Sequence, residues 1–488
     1  MNGLNGLTGL DGSGGLRDLR VDTDDRPADE IAAEVLRRSG RPTDNRLSAQ
    51  ADDGCNVRHD QPGVPVTTGR EERIPTGLAT PHSGRTAAAP SQGRRHRMSS
   101  PASSPDVRPA SPETRPASPE ERPTSPEVLR PEGPSIRIGA LVPLSRPGWV
   151  EAGRHLLAGL ELAVDEVNGA GGIGGGPLEL VVRDTAADPQ RAAAAVDELA
   201  GLGVAAVVGE YHSVVARTAA ARADAVGLPF LCSSAVIDAL TEQPTDRVAR
   251  LAPAQSHGWR IYADFLLAAG HSRIAVASQP SVYWASGTRI LRDHLTPRGG
   301  TVVELDANGL DPAAVCDALV EHRATALLLL AGVPEPAVSI VGAVRRDRRL
   351  AETLIGAPAG QPEFAGWASS LGDEGAAVPF LRYLPERLGP LGVRVERALR
   401  RRLAEAPSFV AFEGYDAIVV LTDVLRSHGA DRASIARAWP SVAVEGTRGR
   451  IQFSRTPGTG VWQWTWPPVQ VVDRDPAERD RFRVLHTG

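Results

Sequence analysis

The chain contains no lysine: its 54 basic residues are all arginine, set against 59 acidic residues in a length of 488. That absence removes the phosphate-gripping lysine of a P-loop, a lysine Schiff base and a lysine general base together. Cysteine is nearly as scarce. Cys55, Cys232 and Cys316 are widely separated and odd in number, so neither a disulfide framework nor a CxxC metal spacing is present. No apolar run reaches the roughly 18 residues that a membrane-spanning helix needs. The N-terminus lacks the apolar segment and small-residue cleavage site of a signal peptide, and no lipobox is read, which gives the expectation of a cytoplasmic protein. A net charge of −5 supplies no whole-chain field for nucleic acid or membrane. Nucleophile-elbow, zinc-protease and kinase signatures are missing too, so neither catalysis nor a cofactor or metal is expected.

What the chain has in quantity is turn-forming: 50 glycines and 40 prolines. Residues 1–134 are rich in Pro, Gly, Ser, Asp and Arg and poor in large apolar side chains. They bury too little surface to offset their ordering entropy, and a long disordered tail is expected. Within it one short helix is predicted at 28–38, where Ile31, Val35 and Leu36 share a face. A seven-residue repeat follows, RPASPET at Arg108, RPASPEE at Arg115 and RPTSPEV at Arg122. Two prolines per repeat forbid a coiled coil and predict an extended spacer. Ser111, Ser118 and Ser125 each precede proline and are candidate modification sites. Both methionines, Met1 and Met98, precede the predicted folded part, so a start at Met98 would remove most of the tail.

From 136 onward the pattern changes. Short apolar runs at 136–142, 178–183, 204–208 and 229–232 alternate with helical windows at 153–168, 189–202 and 214–226. This is the pattern of a parallel sheet covered by crossover helices. The segment GAGGIG at Gly169 matches the dinucleotide fingerprint, but a helix precedes it and a strand follows. The backbone amides of a helix start are therefore not there to meet a pyrophosphate, and the segment reads as a turn. Asp188-Pro189 reads as a helix start. The third strand ends in Gly209-Glu-Tyr-His-Ser213 and the fourth in Cys232-Ser233-Ser234, each followed by a predicted helix, short in the second case. Hydroxyls there suit an anionic group at the ligand crevice of an open parallel sheet, and suit helix capping equally well.

The pattern restarts after Pro253. Strands are predicted at 273–277, 301–305, 325–331 and 353–356, with helices at 257–270, 287–295, 312–322 and 336–346. Two long helices at 392–405 and 409–428 read as returning to the first sheet, followed by a helix at 431–439 and strands at 450–453 and 461–472. The predicted fold is α/β, with two Rossmann-like lobes that have helices on both faces of parallel sheets and are joined by several crossings. The first lobe is assigned 135–253 and 381–447, the second 254–380 and 448–475, and 476–488 a terminal tail.

The pieces IGALVPLS at Ile138, AVDEVN ending at Asn168, GAGGIGGGPLELVVRD, ADPQRAAAAVDEL at Ala187, VVGEYHSVVA, GLPFLCSSA, RIAVASQPSVYWASG and EGTRGRIQF carry a likeness. In their order and spacing the chain from 136 to about 472 resembles the leucine/isoleucine/valine-binding family of type I periplasmic binding proteins that serve ABC transporters. The resemblance implies a Venus-flytrap that closes on a small polar ligand. It implies a carboxylate site at Ser213, flanked by Tyr211 and His212, and at Ser233 and Ser234. It also places a second-lobe tyrosine at Tyr283 with Trp284 beside it, and an aromatic wall at Trp149. The second-lobe acid that neutralises an amino acid's ammonium group falls instead on Ala357-Pro358-Ala359. Val333 replaces a further tyrosine, and Val214 and Val215 replace serines. Either Glu210 or Glu335 substitutes for the acid, or the ligand has no ammonium group. The disulfide of some secreted relatives falls on Ala187 and His212 and is absent. The implied function is non-enzymatic binding of an amino acid or related metabolite for an ABC permease, outside the cytoplasm if the transport role holds. The alternative is a cytoplasmic ligand sensor that controls a regulator protein.

Overall fold

The computed structural model describes residues 6–10, 16–20, 133–455, 459–478 and 481–488. Gly6–Leu10 (β1) and Leu16–Arg20 (β2) pair antiparallel, with Leu7 opposite Leu19 and Leu10 opposite Leu16. Both strands fall within the stretch expected as a disordered tail. The helix expected at 28–38 and the RPxSPE repeats lie outside the described residues.

The first lobe is built on Ile136–Val142 (β3). Ile138, Ala140, Leu141 and Val142 are fully buried because helices cover both faces of the sheet. Val150–Gly169 (α1), Leu178–Asp184 (β4), Pro189–Gly201 (α2), Ala206–Gly209 (β5), Ser213–Ala225 (α3) and Phe230–Cys232 (β6) follow within three residues of the pattern in the sequence. Asp188 caps α2, accepting the amides of Gln190 at 2.7 Å and Arg191 at 3.0 Å, with Pro189 in the first turn. The GAGGIG segment is the turn between α1 and β4. Asn168 ties that turn by bonding both the amide and the carbonyl of Leu178, at 2.7 and 2.9 Å.

No helix forms after Ser234. Irregular backbone leads to Val248–Arg250 (β7), which pairs parallel with β6. Arg250 is fully buried, and its guanidinium takes the carbonyls of Val236 and Ile237 as acceptors. A helix would have used those carbonyls internally, so the buried arginine accounts for the correction.

The second lobe holds Gln255–Ala268 (α4), Arg273–Ser278 (β8), Val282–Leu295 (α5), Thr301–Asp306 (β9), Pro312–Glu321 (α6), Ala326–Leu330 (β10), Ala337–Arg346 (α7) and Leu354–Gly356 (β11). Its parallel sheet runs β11-β10-β8-β9, with every residue of β10 buried. Helix α5 begins five residues before its expected start because Ser281 caps it, accepting the Trp284 amide. Tyr283 and Trp284 are therefore on its first turn. After Ala365–Leu371 (α8), Phe380–Arg382 (β12) opens a three-stranded antiparallel sheet.

Pro390–Leu403 (α9) and Phe409–His428 (α10) return to the first lobe. Helix α10 crosses α1 with backbones in near contact: a Cβ on Gly159 would lie 1.9 Å from the Ala411 carbonyl oxygen, and one on Gly414 2.4 Å from that of Leu156. Glu166 on α1 ties the crossing by accepting the Tyr415 hydroxyl at 2.6 Å and pairing with Arg394 of α9. Arg432–Ala438 (α11), Ala443–Gly446 (β13), Gly449–Ser454 (β14) and Trp462–Trp464 (β15) follow. The last three strands complete an eight-stranded sheet of order β4-β3-β5-β6-β7-β15-β14-β13. Residues 448–464 thus join the first sheet, not the second lobe. Gln463 lies opposite Arg250 and accepts from its Nε at 2.6 Å, which gives the buried cation the partner it needs.

Only from Gln470–Arg474 (β16) does the chain rejoin the second lobe, pairing with β12 on one side and Phe482–Thr487 (β17) on the other. The residues expected as a terminal tail therefore include a strand. Arg483 pairs with buried Asp473, and the Phe482 ring packs on Phe380 with the guanidinium of Arg382 over it at 4.4 Å. The backbone passes between the lobes near 251–254, 383–389 and 465–469.

Candidate functional site

The ends of β5 and β6 in one lobe, and the segments after β8 and β11 in the other, border a cavity of about 250 Å³. Trp149, at the start of α1, faces it beside Tyr211, with ring centroids 6.2 Å apart in an edge-on arrangement. His212, Ser213 and Ser234 line the same side, and Tyr283 and Trp284 line the opposite one from the first turn of α5. Seven of the eight residues singled out in the sequence thus meet at one cavity. Ser233 does not reach it: fully buried, it bonds the Ser234 hydroxyl from behind at 3.1 Å.

Helix α3 starts at this wall without a side-chain cap. His212 occupies the capping position, but its Nε2 accepts the Trp149 amide at 3.0 Å. Burial pulls the imidazole down to about 4, so it is neutral at working pH. The first turn, Ser213, Val214 and Val215, therefore borders the cavity without a capping side chain, at the positive end of the helix dipole. Burial also raises the phenols of Tyr211 and Tyr383, and that of Tyr283 to about 12, so all three remain protonated.

Ser281, Ala359, Gln361, Tyr383 and Phe409 also line the cavity and were not singled out in the sequence. Ser281 had a legible signal, a hydroxyl three residues before Trp284 at a helix start. Gln361 follows Gly360, whose φ of +88° turns the chain after β11 towards the cavity. Tyr383 and Phe409 arrive from segments distant in sequence, and no local pattern marks them.

Among the described residues no charged side chain lines the cavity. Glu210 is fully buried beside it, accepting the Thr185 hydroxyl at 2.6 Å and the amides of Tyr211 and His212 at 2.8 and 3.0 Å. It braces the Tyr211–His212 loop from behind. Glu335 is exposed before α7 and is likewise absent from the lining. Two further buried acids stand behind the lining, Glu413 next to Ser234. Glu363 pairs with Arg382 at 2.9 Å and accepts the Phe409 amide, and Glu413 pairs with Arg448 at 3.3 Å. Among the described residues no group of three or more His, Cys, Asp or Glu is placed to hold a metal ion, and no helix is long and apolar enough to cross a membrane.

Burial pushes both Glu210 and Glu413 up to about 7. A carboxyl whose folded value lies above the ordinary 4.5 holds its proton more tightly in the folded chain. Its stabilising effect is full below pH 4.5 and is lost as pH rises through 7. His212 acts in the opposite sense below its ordinary 6.5, so the comparison of interest is between variants. Glu413→Gln is expected to flatten the fall in unfolding midpoint between pH 5 and 8, with Glu210 keeping part of the slope. Parallel profiles for the variant and the parent would contradict this.

Two parallel α/β lobes bordering one uncharged, aromatic-walled cavity define a bilobal small-molecule-binding protein. The chain belongs to the periplasmic binding protein family, whose sequence model matches residues 135–473. It is 32% identical over 123 residues to Leu/Ile/Val-binding protein homolog 7 of Brucella melitensis, covering 25% of this chain and 31% of that relative. The aligned stretch thus spans about a third of the relative's length. A branched-chain amino acid transporter substrate-binding protein from Streptococcus pneumoniae, solved with isoleucine, superposes with a TM-score of 0.62 at 19% identity, over 72% of this chain and 100% of that one. A solute-binding protein of an ABC transporter from Rhodopseudomonas palustris, solved with 3,4-dihydroxybenzoic acid, gives 0.61 at 17% identity, over 72% and 97%. These structures share the α/β fold of two parallel-sheet lobes.

Proposed function

We propose that the chain binds a small solute in the cavity between its lobes without transforming it, as the solute-binding component of an ABC importer. The observation that carries this reading is a single cavity walled by Trp149, Tyr211 and Ser234 of one lobe and Tyr283, Trp284 and Gln361 of the other. A ligand that touches both walls favours the closed arrangement by the difference between its affinities for the closed and open forms. Family membership supports the reading, as do fold neighbours solved with isoleucine and with an aromatic acid.

Thermal unfolding of the full chain against amino acids, amides, and aliphatic and aromatic acids tests it. A true ligand stabilises by about 2.7 kcal/mol at a hundredfold excess over Kd, and is recovered unchanged afterwards. Ala359→Trp, which fills the cavity from a half-buried lining position, abolishes the shift. Binding that persists in that variant, or a ligand consumed on incubation, overturns the reading.

A further inference from the structure

We infer that the cavity takes a small hydroxylated aromatic carboxylic acid that carries no amino group. This rests on the solute-binding reading above and narrows it to a chemical class.

An ammonium group has no partner here. The lining contains no carboxylate, and Ala357-Pro358-Ala359 stands where an acid would neutralise the charge. Of the buried acids behind the walls, Glu210 is held by a hydroxyl and two amides and Glu363 by Arg382, while Glu413 pairs with Arg448 through one oxygen and sits behind the Ser234 hydroxyl rather than in the lining. Enclosing an unpaired ammonium costs several kcal/mol, enough to exclude free amino acids at ordinary concentrations.

A carboxylate, by contrast, is provided for at one end. The uncapped first turn of α3 borders the cavity, with Ser213 in that turn and Ser234 on the same wall. A second, independent feature marks the opposite wall. Gln361 is 1% exposed and lines the cavity, its Nε2 donates to the Ala331 carbonyl at 3.3 Å, and its Oε1 has no partner. A buried acceptor left unpaired costs free energy until a donor meets it. A ligand hydroxyl at the end remote from the carboxylate is such a donor.

Between these two ends the walls are Trp149 and Tyr211 on one side and Tyr283 and Trp284 on the other, surfaces that favour a flat ring. Size agrees: an apolar cavity of about 150 Å³ accepts benzene, and about 250 Å³ leaves room for one ring with its substituents.

Isothermal titration of the full chain with 4-hydroxybenzoate, benzoate and leucine tests the inference. The expected order is 4-hydroxybenzoate about 10-fold tighter than benzoate, with leucine weaker than both by a further factor of about 100. Gln361→Leu removes the hydroxyl preference, weakening 4-hydroxybenzoate about 10-fold while leaving benzoate unchanged, so benzoate also reports that the variant is folded. Gln361→Met, closer in shape, is the second variant. Equal affinity for the two aromatic acids overturns the hydroxyl assignment, and so does an unchanged preference in both variants. Failure of either aromatic acid to bind overturns the class. Leucine binding tighter than both overturns the class while leaving the solute-binding reading intact.

Discussion

Arg448→Ala costs the first lobe on the order of 3–5 kcal/mol, the largest single-site loss expected in this chain. The Arg448 side chain is wholly shielded from solvent, as are both acids it holds: Asp416 Oδ2 at 2.8 Å and Glu413 Oε1 at 3.3 Å. Its guanidinium also lies over the Trp464 ring at 4.8 Å, joining α10 to β15. Alanine leaves two carboxyls facing each other in the interior with no cation between them. Their cheapest response is to take up protons, so the loss grows as pH rises. Asp416 keeps the amide and hydroxyl of Thr447 as donors, whereas Glu413 keeps only the Ser234 hydroxyl. The double variant with Glu413→Gln should therefore recover part of the loss. Urea unfolding at pH 6 and pH 8 measures both effects. A loss below about 1 kcal/mol, the range of exposed ion pairs, would mean that the triad contributes no more than a surface contact.

The second large effect is on binding. Tyr283→Ala should weaken 4-hydroxybenzoate by roughly 30-fold or more, since truncating a central aromatic anchor costs about 2 kcal/mol or above. Tyr283 stands half-buried on the first turn of α5, its ring edge-on to Trp259 at 6.1 Å, so the helix itself does not depend on the phenol. Tyr283→Phe keeps the ring and should keep most of the affinity. A Tyr283→Ala variant that binds with parental affinity would remove the second lobe's wall from the site.

Much of the fold was legible because a parallel sheet covered on both faces leaves short, unbroken apolar runs, and β3, β8 and β10 are such runs. Helix starts were legible where a capping side chain precedes proline, as at Asp188 and Asp311. Strand β7 was not, because a three-residue strand ending in a buried arginine looks like a boundary. The placement of β14 and β15 was hidden for another reason: sheet membership is settled by pairing with residues some two hundred positions earlier, which no local pattern records. At the site, the hydroxyls and aromatics that follow strands were readable by position. Gln361, Tyr383 and Phe409 were not, because Gln361 becomes a wall through the turn at Gly360, Tyr383 where the chain crosses between lobes, and Phe409 from the start of a helix far along the chain.

The glycine-notched crossing of α1 and α10 bears on how the molecule is made. Synthesis delivers α1 and five strands of the first lobe early, yet the helix that seals their face comes some 240 residues after α1. Until then Leu156, Leu160 and Val164 have no α10 to rest on. The first half to leave the ribosome thus waits for its covering helix, while the second lobe can assemble its parallel layer in the interval. A truncated nascent chain ending near residue 380 would carry one nearly finished half and one with an open greasy flank, a natural target for chaperones.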